Sequence, residues 1–297
     1  IMFLNKMAAL SLMLVSSLVF AKISIQDEMG TFEIDTVPQR IVALEFSFVD
    51  ALANLGVSPV GVADDGKATN VIPQIRNKVQ PWTSVGSRYQ PSLEAIAALK
   101  PDLIIADGGR SAETYQELLK IAPTVMLKSR GETYEENLIS VAKIGEILGK
   151  KELINQVIKD HHKRMDDFAE NIVSEQRFQF GVTNEKGLWI HGPKSYAGSV
   201  MERLGLSTSV PDERENAYIA TTLEQLIKAN PDVFLIGKYG DKTIIDVWQE
   251  NPLWNLIEAV KNKKVTEVEP LLWSKNRGLI AAEIMAKELE IMVKQVK

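Results

Sequence analysis

Residues Lys151 to Glu175 read KELINQVIKDHHKRMDDFAENIVSE, without a proline or a glycine. Ile154, Val157, Ile158, Met165, Phe168, Ile172 and Val173 recur at three- and four-residue spacing and so form one apolar helical stripe. Fully helical, the stretch would reach roughly 37 Å, the width of a small domain. Similar text lies on both sides of it. Before it runs PSLEAIAALKPDLIIAD (Pro91–Asp107), and after it runs TTLEQLIKANPDVFLIG (Thr221–Gly237). Each is a helix containing Leu-Glu, broken by Pro-Asp, then a strand of Leu, Ile, Val or Phe. A second echo pairs ALANLGVSPV (Ala51–Val60) with VMERLGLSTS (Val200–Ser209). The expected class is α/β: two lobes, residues 22–150 and 176–297, with central, mainly parallel sheets joined by one long rigid helix at 151–175.

The 297 residues suffice for two lobes with their own cores. Lys6 precedes the apolar run Met7–Phe20, and Val19 and Ala21 put small residues at the −3 and −1 positions of a cleavage site. This predicts a signal peptide over residues 1–21, cleaved after Ala21 and too short for a membrane span. The expected location is therefore the periplasm. The net charge is −5, and losing Lys6 with the leader makes the remainder one unit more acidic. Such a balance gives no general reason to bind nucleic acid or anionic lipid. The chain has no cysteine, so it relies on its core rather than on disulfides and lacks the usual attachment point of a bacterial lipoprotein. Residues 22–39 read as a polar leading segment. Beyond them, near-continuous apolar strands alternate with helices, as in a parallel sheet covered on both faces.

Ligands of open parallel sheets bind beyond the carboxyl ends of the strands. After Thr83–Gly86 come Ser87, Arg88 and Tyr89; after Leu103–Asp107 come Gly108, Gly109 and Arg110; after Val125–Lys128 come Ser129 and Arg130. The chain has ten arginines, and three stand in three successive loops of one sheet edge. In the second half the matching loops carry Lys238 and Tyr239, then Trp273, Lys275 and Arg277, while Trp189 and His191 lie on a hairpin-like stretch. Trp273 also suits a core position. Guanidinium forks grip carboxylates or phosphates bidentately, so this rim calls for a multiply charged anion. Glu45, ending the first strand, opposes an anion unless an arginine pairs with it.

Enzyme signatures are thin. Histidine occurs only at 161, 162 and 191, and there is no G-x-S-x-G, no Walker loop and no G-x-G-x-x-G after a strand. His161 and His162 are adjacent and point apart on a helix, which fits a solvated face rather than a metal pair. The expectation is a binding protein that is not an enzyme and has no cofactor. A secreted hydrolase or transferase is the alternative class.

The stretch VGSRYQPSLEAIAALKPDLIIADGGR (Val85–Arg110) resembles bacterial periplasmic binding proteins for iron-siderophores and vitamin B12. Pro38–Asp65 and Leu127–Lys151 resemble the ferric-dicitrate-binding members in particular; the second half matches group-wide text more loosely. The resemblance implies two α/β lobes bridged by a long helix. It also implies capture of ferric dicitrate or a related ferric carboxylate siderophore by a monomer, and delivery to an inner-membrane ABC permease. The chelator holds the iron in such proteins, so no metal ligands from the chain are implied. Another siderophore, haem or a corrinoid remains the alternative ligand; haem would need an axial group such as Tyr89 or Tyr239. By motif, the family's permease-docking glutamates fall on Glu94 and Glu224. The ligand-binding set so expected is Arg88, Arg110, Arg130, Trp189, Tyr239, Trp273 and Arg277.

Overall fold

The computed structural model describes residues 22–210 and 216–295; the expected leader and its cleavage after Ala21 lie outside the described residues. The leading segment, polar by composition, folds into a hairpin of β1 (Ile23–Asp27) and β2 (Gly30–Ile34). Its apolar residues alternate with polar ones, so a strand presents Ile25, Phe32 and Ile34 on one buried face.

The first sheet comprises β3 (Ile41–Ala43), β4 (Gly61–Val62), β5 (Thr83–Ser84), β6 (Leu103–Asp107) and β7 (Thr124–Leu127). It is wholly parallel, in the order β5-β4-β3-β6-β7. Every residue of β6 and β7 is buried, which is why those strands read as unbroken apolar runs. Strand order reverses between β3 and β6, so the loops after these two strands diverge and open a crevice. Glu45 follows β3 and Arg110 follows β6.

The second sheet comprises β8 (Arg177–Asn184), β9 (Gly187–His191), β10 (Ser207–Thr208), β11 (Tyr218–Thr221), β12 (Val233–Lys238) and β13 (Val265–Glu267). Its order is β11-β9-β8-β12-β13, with β10 beside β8. The pairings of β8, β10, β12 and β13 are parallel, whereas β9 and β11 run antiparallel.

Between the sheets runs the helix Lys151–Asn171, 21 residues or about 31 Å long. It is shorter than the expected stripe because Ile172 leaves the helical region (φ −94°, ψ 84°) while its side chain stays buried. The helix packs on Tyr134–Ile147 and on the C-terminal helix Leu279–Gln295. Gly145 permits the first contact, since a Cβ there would collide with Ile154. His161 departs from the expected solvated face and is fully buried. Its Nε2 lies 2.8 Å from the Tyr134 hydroxyl and its Nδ1 2.7 Å from Glu283, which also accepts from Arg164 at 2.8 Å. Burial holds the imidazole pKa below its usual value, against the pull of Glu283. Among the described residues no cluster of His, Cys, Asp and Glu could hold a metal ion.

The C-terminal helix is held by the first half of the chain. Buried Asp50 accepts from the amides of Ile280 (3.3 Å) and Ala281 (3.2 Å), satisfying donors that a helix start leaves open. Gly278, with φ +138°, lies so close that a Cβ would collide with Asp50. The Tyr196 hydroxyl donates to the Gly278 carbonyl (2.5 Å) and accepts from its amide (3.1 Å). The residue next to Arg277 is thus pinned from both halves. One apolar core runs through both, including Phe46 and Leu52 from the first, Met165 from the bridging helix, and Phe180, Trp273 and Met285 from the second. Among the described residues no helix is long and apolar enough to cross a membrane.

Candidate anion-binding site

The loops after all five strands of the first sheet meet at its carboxyl edge. Asp107 ties two of them together: its Oδ1 accepts from the Arg110 amide (2.7 Å), and its Oδ2 from the amides of Ser129 (2.8 Å) and Arg130 (2.9 Å). Asp65, after β4, ties two more by accepting from the amide, Nε and Nη2 of Arg88, after β5, at 3.0, 3.1 and 2.9 Å. The fifth loop, after β3, carries Glu45, which begins the helix Phe46–Asn54 without capping it through its side chain. That carboxylate instead faces the arginines.

Glu45 is fully buried, and three of the expected arginines converge on it. Arg110 Nε lies 2.7 Å from its Oε1; Arg88 Nη1 and Arg277 Nη2 lie 3.5 and 3.4 Å from its Oε2. Arg88 and Arg277 are 4% and 3% exposed, so these pairs are shielded from solvent and little screened by salt. Arg277 also donates to Ser129 Oγ (2.8 Å) and Glu132 Oε1 (3.1 Å), and Ser129 Oγ lies 2.8 Å from Ser47 Oγ. Burial pushes the Glu45 and Glu132 carboxyls up, while the neighbouring arginines pull both down.

The cluster is incomplete as hydrogen bonding. Arg110 Nε and Glu45 Oε1 meet at 2.7 Å as an ion pair but are misaligned for a hydrogen bond, and Arg110 Nη1 and Glu132 Oε2 are buried with no hydrogen-bond partner. Arg110 Nη1 is therefore a buried donor available to a further acceptor. The Arg110 guanidinium stacks 4.2 Å from the Tyr89 ring, and Arg130 lies 5.8 Å from the same ring. Tyr89 is 60% exposed, so it is an outer face of the cluster.

Arg130 leads from the cluster to a cavity of about 610 Å³ between the halves, within the size range of small-molecule sites. Lys128, Arg130, Thr133 and Glu136 line one side, with Glu136 pairing Lys128 at 2.5 Å, and Lys194, Asn216 and Tyr218 line the other. Among the described residues, neither Arg130 nor Lys194 has a carboxylate within ion-pair distance.

The remaining expected residues separate. Tyr239 donates to the Pro270 carbonyl (3.0 Å), lies 2.6 Å from Ser274 Oγ, and has the Lys275 ammonium 5.2 Å from its ring. Trp273 is corrected to a core residue: it is 1% exposed, its indole donates to Glu288 (2.7 Å), and its ring meets Phe180 at 5.3 Å. Trp189 is half-buried in β9 with its ring against Gly187, and it neither lines the cavity nor stacks on the arginines. His191 is buried between Phe180 and Tyr218. Glu132, Ser129 and Lys194 were not expected in the site. Only Ser129 carried a sequence signal, standing beside Arg130 in a strand-end loop.

Comparison with known proteins bears on the family and the fold. The chain is 45% identical over 278 residues to the Fe(3+) dicitrate-binding periplasmic protein FecB of Escherichia coli, covering 93% of this chain and 92% of the relative. It is 39% identical over 267 residues to the Fe(3+)-citrate-binding protein YfmC of Bacillus subtilis, covering 89% and 84%. The fold matches Staphylococcus aureus SirA complexed with staphyloferrin B (TM-score 0.80, 24% identity, 91% of this chain and 98% of that one). It also matches the petrobactin-binding protein YclQ of Bacillus subtilis (TM-score 0.78, 23% identity, 92% and 99%). A family model described as periplasmic binding protein matches residues 41–271, and the chain belongs to that family.

Proposed function

We propose that this protein captures ferric citrate, or a related ferric carboxylate siderophore, in the periplasm and passes it to an ABC importer. The observation that carries the reading is the arginine cluster with an unpartnered Arg110 Nη1, linked through Tyr89 to Arg130 at the edge of a cavity that Lys194 also lines. Each charge-assisted contact from such groups is worth roughly 1.5–3 kcal/mol, so three or four approach the roughly 8 kcal/mol of micromolar binding. The chelate brings its own iron ligands, which suits a chain without cysteine and with three histidines. The names of the FecB and YfmC relatives point to the same ligand class.

In this reading residues 22–150 and 176–297 are the two lobes, 151–175 links them, and residues 1–21 direct export. Glu94 and Glu224 dock the permease. Both are exposed in the first turn of short helices, one beginning after the Ser92 cap and the other after the Thr222 cap. Their equivalent places on the two halves support a paired contact. A hydrolase is less well supported, since His191 sits among aromatic rings. For haem, the Tyr239 hydroxyl is engaged by Ser274 and Pro270, which leaves exposed Tyr89 as the axial candidate.

The test is a thermal-shift screen with ferric citrate, other ferric siderophores, haem and cobalamin. A ligand at 100 times its dissociation constant stabilises by about 2.7 kcal/mol. Ferric citrate or another anionic chelate should give the shift; a shift with cobalamin and none with any anionic chelate refutes the reading.

A further inference from the structure

A site built to attract an anion has a carboxylate at its centre. Glu45 is fully buried, belongs to the loop at the strand-order reversal, and touches Arg88, Arg110 and Arg277 together. Without it, guanidinium groups from three separate segments would be crowded into a low-dielectric space around no opposite charge except Asp65, Asp107 and Glu132 at the margins. With it, the arginines are gathered in place before a ligand arrives. One oxygen of Glu45 and two nitrogens of Arg110 nevertheless lack hydrogen-bond partners, so the carboxylate balances charge without filling the site.

We propose that Glu45 is the resident counter-anion of this site, and that it takes up one proton from solvent when a ligand carboxylate engages the arginines. The idea rests on the anionic-ligand reading above and adds to it how the site changes charge. The groups facing Glu45 are Arg88, Arg110 and Asp107, the Ser47 and Ser129 hydroxyls, and Glu132 and Arg277. Burial outweighs the pull of Arg277, Arg110 and Arg88, so the Glu45 carboxyl lies above its usual value and stands ready to take a proton, with Asp107 adding to the rise. An incoming carboxylate adds negative charge within a few ångströms and draws the same arginines away. Both changes favour the protonated acid, which can then donate where the carboxylate could only accept. Charge balances: the ligand brings a negative charge, one proton enters, and a neutral Glu45 remains among the arginines. Glu132 is the rival proton acceptor. Burial raises its carboxyl as it does that of Glu45, but it touches Arg277 and neither Arg88 nor Arg110, so a ligand drawing on all three arginines perturbs it less.

The experiment is calorimetric titration of ferric citrate into the wild-type protein in buffers of different ionisation enthalpy. It is repeated with a panel of polycarboxylates and with the variants Glu45→Gln and Glu132→Gln. Wild type and Glu132→Gln should each take up close to one proton per ligand more than Glu45→Gln does. Within the responding pH window, the affinity of wild type relative to Glu45→Gln should fall by about tenfold per pH unit as pH rises. Comparing variants at equal pH cancels the proton chemistry of the chelate. Should Glu45→Gln fail to fold, infrared difference spectra of the wild type decide the matter. A protonated carboxyl band must appear on ligand addition, and its absence overturns the proposal. Equal proton uptake in all three proteins, or its loss only in Glu132→Gln, also overturns it. If ferric citrate does not bind but a polycarboxylate does, the ligand reading fails and the same proton count still judges Glu45. If no anion binds at all, both fall.

Discussion

Two buried polar networks tie the halves of this molecule together, and they differ in how completely they are satisfied. At the bridging helix, His161 uses both ring nitrogens, on Tyr134 and Glu283, and Arg164 closes the set. At the sheet edge, Glu45 and its three arginines leave buried donors and acceptors open. A satisfied network fixes geometry, whereas an unsatisfied one stores binding capacity, because an unmade buried hydrogen bond is energy that a ligand can recover. The first network therefore reads as structure and the second as a site.

The largest expected effect comes from removing Arg277, the residue that joins the second half to the cluster. Arg277→Ala strands Glu132 and weakens the balance around Glu45, so unfolding in urea should show a loss of about 3–5 kcal/mol. An unchanged midpoint would mean that the arginine serves ligand alone.

The comparison itself is broken or upheld by a pair of variants. His161→Leu leaves the Tyr134 hydroxyl and Glu283 without their partner and should lower stability by about 1–3 kcal/mol while leaving ferric citrate affinity alone. Arg110→Ala should weaken the ligand by about 1.5–3 kcal/mol, an effect His161→Leu lacks, although losing the cation 2.7 Å from Glu45 lowers stability too. If both variants act mainly on stability, the distinction between the networks fails.

Acid should expose another buried group. Burial lowers the pKa of His191 from 6.5 to about 3, so above pH 6.5 it is neutral folded or unfolded. As pH falls below 6.5 the unfolded chain binds a proton that the folded chain refuses. Stability then drops by up to about 1.4 kcal/mol per pH unit toward pH 3. His191→Phe, among Phe180 and Tyr218, should remove that component in unfolding measurements made from pH 7 to 4.

The smallest effect on the purified protein belongs to the surface. The double variant Glu94→Ala, Glu224→Ala should change stability and ligand affinity by less than about 0.5 kcal/mol, since both carboxylates are exposed. Whole-cell iron uptake should fall sharply all the same. Normal uptake would remove the docking role and leave two solvated glutamates.

The sequence determined the local elements by itself. A stripe without Pro or Gly makes the helix Lys151–Asn171, and unbroken apolar runs make the buried strands β6 and β7, because those patterns act between near neighbours in the chain. It also placed Arg88, Arg110 and Arg130 in strand-end loops of one sheet, since parallel strands carry their carboxyl ends to one edge. What it left open depended on contacts between distant residues. Glu45 and Arg277 are 232 positions apart, and their meeting follows from Asp50 and Tyr196 pinning Gly278. The same packing put Trp273 in the core and His161 at a three-helix junction. Neither position has a local pattern that separates a site residue from a packed one. Only tertiary structure decided whether the Glu45 carboxylate repels the ligand's charge or organises the arginines for it, because that depends on which cations the fold brings within a few ångströms and how little water it leaves between them.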